Sequence, residues 1–287
     1  MAHPRLLLPA LVVLAVPGSA QSLPDLLKNN QAAWEDSLAK GVAVPVRKAA
    51  EALLAREGTQ VSPSDYIGMY ALVGVQGLAA RACVIDGAWE DAVVYLQKAT
   101  QTAADNSIAF EGTFAKIRQQ HQESLAGWRP TVTKLEQRLK DLDAQVGLTS
   151  DQIKTRTQIR AQLDELHNAI DHGESSLKEI ANLTGQLKQE QETYAASLAR
   201  WQDFLAKEKA DLTRAGSVAA YVGEKVEQVK GDDAKPLAER LTYARRLLRL
   251  DPASPDCQRL VNALSGKEDE PPPKPPAKKG RGKKAAE

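Results

Sequence analysis

The residues best suited to chemistry in this sequence are a histidine between two acids, two cysteines and one arginine. Asp164 and Asp171 lie three residues before and four residues after His167, which places the three side chains on one face of a helix. A metal site needs three or four converging ligands. The histidines nearest in sequence are His121 and His172, and His172 should point elsewhere on the helix. We interpret this face as solvated, and we predict no metal and no cofactor.

The two cysteines of the sequence are Cys83 and Cys257. In an oxidising compartment, which the N-terminus predicts for this chain, such a pair can form a disulfide. Two alternatives stay open at this point. A bridge between Cys83 and Cys257 would tie the two halves of the protein together, or both residues are buried free thiols.

Catalytic motifs are not recognisable. No serine or cysteine lies in a nucleophile motif, and no pair of groups is spaced for general acid–base chemistry. The acidic pairs at residues 141–143, 232–233 and 268–270 fit helix caps or solvated charge. A phosphate-binding glycine loop normally follows a strand. The sequence has no strand-like alternation, so we predict no such loop. We therefore predict that the protein is not an enzyme.

Composition indicates an all-α protein with no dedicated nucleic-acid surface. Ala, Leu, Glu, Lys, Gln and Arg dominate, aromatic residues make up 5%, and the formal net charge is +1. A net charge near zero argues against a nucleic-acid partner. The exception is a basic stretch near the end of the chain.

The longest pattern runs over residues 131–212, where apolar residues recur in two interleaved series with spacings of three and four. This is the seam of a long amphipathic helix. Gly147 fits a helix C′ position. Either Thr149 or Ser150 can cap the next helix, and Gln152, three residues after Thr149, would complete a capping box. The pattern predicts two long helices joined by a turn, forming an antiparallel coiled-coil hairpin. The series are Leu163, Ile170, Leu177, Thr184, Gln191, Leu198, Leu205 and Leu212, with Leu166, Gly173, Ile180, Leu187, Tyr194, Trp201 and Glu208, after an upstream run of Trp128, Val132, Leu135, Leu139, Leu142 and Val146.

Shorter helices are predicted on both sides of this stretch. The first opens at Ser22, and the first arm of the hairpin should begin at Asn106 or Ser107. Pro130 should kink or split that arm, because it removes one backbone hydrogen bond. The other predicted helices span residues 45–56, 62–84, 88–103, 217–230, 234–250 and 254–264.

The turn between the helices predicted at 62–84 and 88–103 holds Gly87, and the second of these helices carries Trp89, Ala92, Leu96 and Ala99. With these residues the helix pair resembles a tetratricopeptide repeat (TPR). The resemblance implies stacked helix pairs whose crossings need small side chains. It also places Arg81 where the family lines its concave groove, so Arg81 would receive a partner's carboxylate; the alternative is an ordinary surface arginine. Residues 247–264 resemble the end of another repeat, with Arg240 at its small crossing position. In the first repeat, the first helix matches less well: Ala79 and Ala80 stand where the family has a Leu-Gly pair, and Gln76 stands where an aromatic residue is usual.

Both ends of the chain differ from the rest. Arg5, an apolar run and small residues predict a signal peptide over residues 1–20, cut between Ala20 and Gln21. We expect no other segment to be apolar enough to span a membrane, and we predict a periplasmic or secreted protein. Residues 266–287 are rich in proline and lysine and are predicted to be disordered. Their basic run can contact an anionic envelope polymer, or it only adds solubility.

Together these patterns predict an exported, non-enzymatic scaffold or adaptor that binds other proteins of the cell envelope. The alternatives are a structural coiled-coil homo-oligomer, a chaperone-like holdase and, with least support, an envelope enzyme or enzyme activator. The predicted organisation is a signal peptide (1–20), a TPR-like segment (21–105), a coiled-coil hairpin (106–215), a second TPR-like segment (216–265) and the tail (266–287).

Overall fold

Residues 22–266 are described by the computed structural model, and within that range the chain forms α-helices and no strand. The predicted all-α class is confirmed. The predicted signal peptide and cleavage position, and the tail from residue 267 onward, lie outside the described residues. The helices are α1 (Leu23–Ala39), α2 (Val44–Arg56), α3 (Tyr66–Ile85), α4 (Trp89–Asp143), α5 (Ser150–Ala215), α6 (Val218–Gly231), α7 (Leu237–Leu250) and α8 (Pro255–Leu264).

Helix α3 is the centre of the N-terminal part, and α1, α2 and α4 pack around it. By length and composition it could cross a membrane, with a mean hydropathy of 1.4, which corrects the expectation that no segment beyond the N-terminus could. Most of it is buried inside the protein, so its apolar character is accounted for by its core position. It begins at Tyr66 rather than at residue 62, because Asp65 caps it by accepting from the Gly68 amide.

Helix α4 runs without a break from Trp89 to Asp143, so the helix end predicted near residue 103 is wrong. The sequence boundary at 105/106 therefore falls inside one helix. Ala99, Ala103 and Asn106 follow one another at helical spacing on the buried side of α4. Continuous burial of this face, with no glycine or proline at residues 103–107 to stop the helix, explains why α4 continues into the arm.

Pro130 does not split α4, although it removes one backbone hydrogen bond within the helix.

The loop between α4 and α5 agrees with the sequence prediction at the start of α5 and differs from it at Gly147. Gly147 has a φ of +80°, and lies in the loop beyond the C-cap Ala144 rather than at C′. Thr149 and Gln152 form the predicted capping box, which starts the 66-residue helix α5.

Helices α4 and α5 pack antiparallel along their length, and this returns the chain to its starting point. Near the loop, Val132 clusters with Ile159, whereas at the other end Trp89 contacts Trp201. Helices α6, α7 and α8 then form a small cluster around Tyr221 and Leu247, and α7 packs on α3. The N-terminal and C-terminal helices therefore form one base at the root of the α4–α5 pair.

Candidate interaction site

Arginines of α7 form hydrogen bonds to the C-terminal end of α3, and these bonds connect the C-terminal helices to it. Arg245 donates through Nη1 to the carbonyl oxygens of Gly41, at 2.9 Å, and Ile85, at 3.1 Å. Arg249 donates through Nε to the carbonyl oxygen of Asp86, at 2.9 Å, and forms an ion pair with its carboxylate. The last carbonyls of a helix have no partner within the helix, so these guanidinium groups satisfy acceptors that would otherwise need water.

Gly87 allows this contact because it brings backbone against backbone. Its φ is +75°, and a Cβ at this position would lie 2.5 Å from the backbone nitrogen of Arg246. A side chain here would both strain the turn and push α7 away. The indole of Trp89 holds the same turn by donating to the carbonyl oxygen of Val84, at 3.1 Å.

Arg246 is the centre of a buried ion network. It is 3% exposed, and its partner Glu208 on α5 is 5% exposed. Arg246 Nε lies 3.1 Å from each carboxylate oxygen of Glu208, and Nη2 lies 2.5 Å from Oε2. Glu90 receives Nη1 at 2.6 Å and also contacts Nη2. The network therefore joins the first turn of α4, the end of α5 and α7.

The two shifts of pKa in this network have the same origin. The hydrogen bond from Arg246, opposed by burial, lowers the pKa of Glu90. Burial opposes the charge of Arg246, but hydrogen bonds to Glu90 and Glu208 outweigh it and raise its pKa. Arg246 therefore stays charged at every physiological pH, as expected for a guanidinium group.

Aromatic rings surround the network, with Trp89 in the middle. The guanidinium carbon of Arg246 lies 5.1 Å from the Trp89 ring centroid, a cation–π distance. The Trp89 centroid lies 5.4 Å from that of Trp201, 4.9 Å from that of Phe204 and 5.6 Å from that of Tyr243. The Phe204 ring meets Trp89 edge-on, at 87°, which is a favoured aromatic geometry.

A cleft of about 700 Å³ opens beside these rings, between α5, α6 and α7. Phe204 is 39% exposed, so part of the aromatic surface faces solvent. Five cations and four acids line the cleft, and their formal charges nearly cancel. Such a surface suits a ligand that stacks on rings better than a strongly charged one. The charged lining residues are Arg200, Lys207, Lys225, Lys235, Arg240, Glu208, Asp211, Asp232 and Glu239.

The two cysteines are buried free thiols, which is the second of the alternatives left open by the sequence. Cys83 packs with Ala88 and Ala92, whereas Cys257 lies in the C-terminal cluster with Tyr221. A bridge is absent because the residues belong to separate clusters. Burial raises the pKa of Cys83 to about 11 and also raises that of Cys257. Both thiols are therefore poor nucleophiles.

Arg81 and Arg240 lie in different surroundings. Arg81 is exposed on α3. Burial raises the pKa of the nearby Tyr194, and the charge of Arg81 offsets only part of this rise. Arg240, at the supposed crossing position, instead caps α6: it donates to the carbonyl oxygens of Val229 and Lys230. A long side chain is useful there because it reaches the unpaired carbonyls at the helix end.

The histidines of the helix pair lie in two separate places. His167 lies 3.6 Å from Glu136 of α4 as an exposed pair. His121 and His172 come together across the helix pair, with ring centroids 6.3 Å apart. In the part of the chain that the structure describes, no group of three or more His, Cys, Asp or Glu side chains could hold a metal ion.

Sequence reasoning missed the ion network and the cleft beside it. One signal was available: Glu208 is a charged residue in a mostly apolar seam, where a buried charge requires a partner. The partner could not be named, because Arg246 is one of several arginines on α7 and lies 38 residues away.

Comparison with protein-family models, with curated proteins and with solved structures found no match to this chain.

Proposed function

We propose that the protein is an exported, non-catalytic interaction scaffold of the cell envelope, with a TPR-like base and a coiled-coil arm that carries the partner-binding surface. The arm is the part of the α4–α5 pair that runs from about residue 115 in α4, through the end loop, to about residue 178 in α5. The observation that carries the proposal is that every hydrophobic cluster and ion pair of this part, within residues 22–266, joins α4 to α5 or lies within one of them. None of the other described helices therefore covers the outer surface of the arm.

The contacts within the arm support a self-sufficient coiled coil. The seam residues Val132, Ile159 and Leu163 are buried against each other, with five more apolar residues around them. Arg129 of α4 forms an ion pair with Glu174 of α5, at 2.6 Å, on the exposed flank of the seam. The residues packed around the cluster are Leu135, Leu139, Leu142, Leu166 and Ile170.

The end of the arm supports a role in contacting a partner. At 1.5 Å per residue, α4 extends about 40 Å beyond residue 115. Val146 in the end loop is 102% exposed, and Ile153 in the first turn of α5 is also exposed. Exposed aliphatic residues held at the end of a rigid rod suit contact with another protein.

The base supports the TPR-like part of the proposal. Ala92, Leu96 and Ala99 of α4 are buried against α3, which matches the small and large positions of the repeat pattern. The alternative of a coiled-coil oligomer has less support, because the seam residues are already buried within one chain. The chaperone-like alternative has no specific observation in its favour.

The experiment is site-specific crosslinking in the envelope. A photoreactive residue replaces Val146 at the end of the arm, and in a second variant it replaces Val94, which is 48% exposed on the base. We expect a defined crosslinked protein from position 146 that position 94 does not yield. The same product should disappear when residues 126–172 are replaced by a short Gly/Ser turn, which joins Leu125 to Gly173, residues that lie in contact.

The proposal would be wrong if position 146 gave no product, or gave the same products as position 94. Crosslinks only between copies of the chain would instead support the oligomer. Light scattering on the mature protein provides the independent check, since the scaffold proposal expects a monomer in which α4 pairs with α5 of the same chain.

A further inference from the structure

We propose that the aromatic cleft of the base is a binding site for a proline-rich segment, and that its occupant is the chain's own segment Pro271–Pro276. The inference goes beyond the proposed function: it concerns the cleft and the tail, whereas the proposed function depends on the arm. If one of the two proposals is disproved, the other is unaffected.

The chemistry of the cleft fits a polyproline segment. Grooves that recognise such segments present aromatic rings on which the pyrrolidine rings pack, because a polyproline II helix is preformed and loses little conformational entropy on binding. Phe204, Trp201 and Tyr243 form such a surface here. The buried ring of Trp89 contacts all three. The ring-to-ring contacts fix the side chains before any ligand arrives.

The size of the cleft fits the segment. The lining residues of α5 run from Arg200 to Asp211, about 17 Å along the helix axis. Six residues in polyproline II geometry span about 19 Å. The sequence Pro271-Pro-Pro-Lys-Pro-Pro276 supplies a run of this length with five prolines.

The place where the described chain ends brings this segment within reach. Helix α8 ends at Leu264, which packs against the cluster that contains Tyr221. The phenolic oxygens of Tyr221 and Tyr243 lie 3.1 Å apart, and both residues line the cleft. The chain from Gly266 to Pro271 can span up to about 17 Å. Tethering of this kind gives an effective concentration of about 1 mM, so weak stacking is sufficient for occupancy.

Charge does not carry the contact. The charges of the cleft nearly cancel, and several acids are already paired, such as Asp232 with Lys235 at 2.9 Å. The basic run at residues 278–284 is therefore not needed for docking. Binding should depend on prolines and rings, and should change little with salt.

The test uses the indole N–H signals of the four tryptophans in ¹H–¹⁵N spectra. The full chain is compared with a chain that ends at Gly266, to which a peptide of residues 267–287 is then added. We expect truncation to shift the Trp201 signal, with Trp89 following, and the peptide to restore it. Trp34 and Trp128 lie outside the cleft lining and should not move.

Matched variants make the result specific. A peptide with alanine at its five prolines should not restore the Trp201 signal, whereas one with glutamine at residues 278, 279, 283 and 284 should. Phe204→Ala in the truncated chain should weaken peptide binding at least tenfold, and circular dichroism and an unchanged Trp34 signal would show that the variant is folded.

Several results would overturn the inference. They are no shift of Trp201 on truncation, equal restoration by the alanine peptide, or peptide binding that Phe204→Ala does not weaken. A dimer that disappears on truncation would assign the tail to a second copy and also overturn it. Crosslinking at Val146 is independent of all these results, so failure here is distinguishable from failure of the proposed scaffold function.

Discussion

Arg246 shows how a single buried charge can control the assembly of the base. The residue contacts Glu208 from α5 and Glu90 from α4, and the Arg246–Glu208 pair is almost fully removed from water. A buried ion pair is not in itself strongly stabilising, because both charges lose hydration. Removal of one partner is costly, because the other charge stays buried without compensation.

We therefore expect Arg246→Leu to lower the free energy of unfolding by about 3–5 kcal/mol, because Glu208 then stays buried without a partner. Glu208→Leu should cost less, because Glu90 still pairs with Arg246. The double variant should lose much less than the sum, because neither charge is left alone. Urea denaturation of the four proteins at pH 7 measures this coupling. Additive losses would contradict the buried network.

Glu190 is a second buried acid, and it has no ion-pair partner among residues 22–266. Its Oε2 makes no hydrogen bond to the described part of the chain, and the same is true of Gln76 Oε1 and both polar side-chain atoms of Asn106. Burial raises the pKa of Glu190 from its ordinary value of 4.5 to about 7. Burial, with the charge of Glu190 beside it, raises the pKa of Tyr70 to about 12.

This shift makes the contribution of Glu190 to stability fall as pH rises. The folded state holds the Glu190 proton more tightly than the unfolded state, so this contribution is fully present below about pH 4.5 and is lost as the pH rises through about 7. Glu190→Gln should match the parent near pH 4.5 and be more stable at pH 8, by up to about 3 kcal/mol.

Denaturation curves from pH 4.5 to pH 8 test this prediction. Glu192→Gln, an exposed acid on the same helix, is the control and should leave the pH profile unchanged. Parallel profiles for Glu190→Gln and the parent would show that Glu190 is ionised throughout.

At the scale of elements, α3 and α5 approach closely at Gly77. A Cβ at Gly77 would lie 2.1 Å from the Tyr194 hydroxyl and within 3 Å of two ring carbons. Tyr194 lies against the buried cluster of Val73, Ala99 and Ala103, which limits how far it can move. The missing side chain of Gly77 therefore lets α3 approach Tyr194 of α5 closely.

Gly77→Ala should lower the free energy of unfolding by about 1–3 kcal/mol, because it overpacks this contact. Gly112→Ala is the matched control: it lies within α4 with no atom near its Cβ position, so alanine should stabilise by up to about 1 kcal/mol. Opposite signs in thermal or urea denaturation support the close contact. A gain in both variants would contradict it.

Local signals in the sequence predicted the ends of elements better than their continuity. The Thr149–Gln152 capping box and the left-handed Gly216 at the end of α5 are short-range features, and both were predictable. The helix end near residue 103 was wrong, and of the kink or split predicted at Pro130 the split does not occur. Buried residues continue along α4 through both places, Ala103 and Asn106 at the first and Leu125 and Val132 around the second, so tertiary packing outweighs a weak local preference.

At the scale of the whole molecule, the all-α class and the pairing of two long helices were predictable from composition and apolar spacing. The assembly of the base was not, because its contacts join residues about 40 to 200 positions apart. Arg245 reaches Gly41 and Arg246 reaches Glu90, and no local pattern identifies such pairs. The cleft arises from the same assembly, so it too was invisible in the sequence.

The central claim is that α4 and α5 pair within one molecule to form an arm. Spin labels at positions 129 and 174 test it most directly, because Arg129 and Glu174 are exposed and lie in contact across the pair. The native thiols are buried, so labelling should select the introduced cysteines. Paired helix axes lie about 8–10 Å apart, which predicts a label separation below about 20 Å that persists when unlabelled protein is added in excess. A separation on the order of 65 Å, as in one continuous helix, or a short distance lost on dilution, would contradict the account.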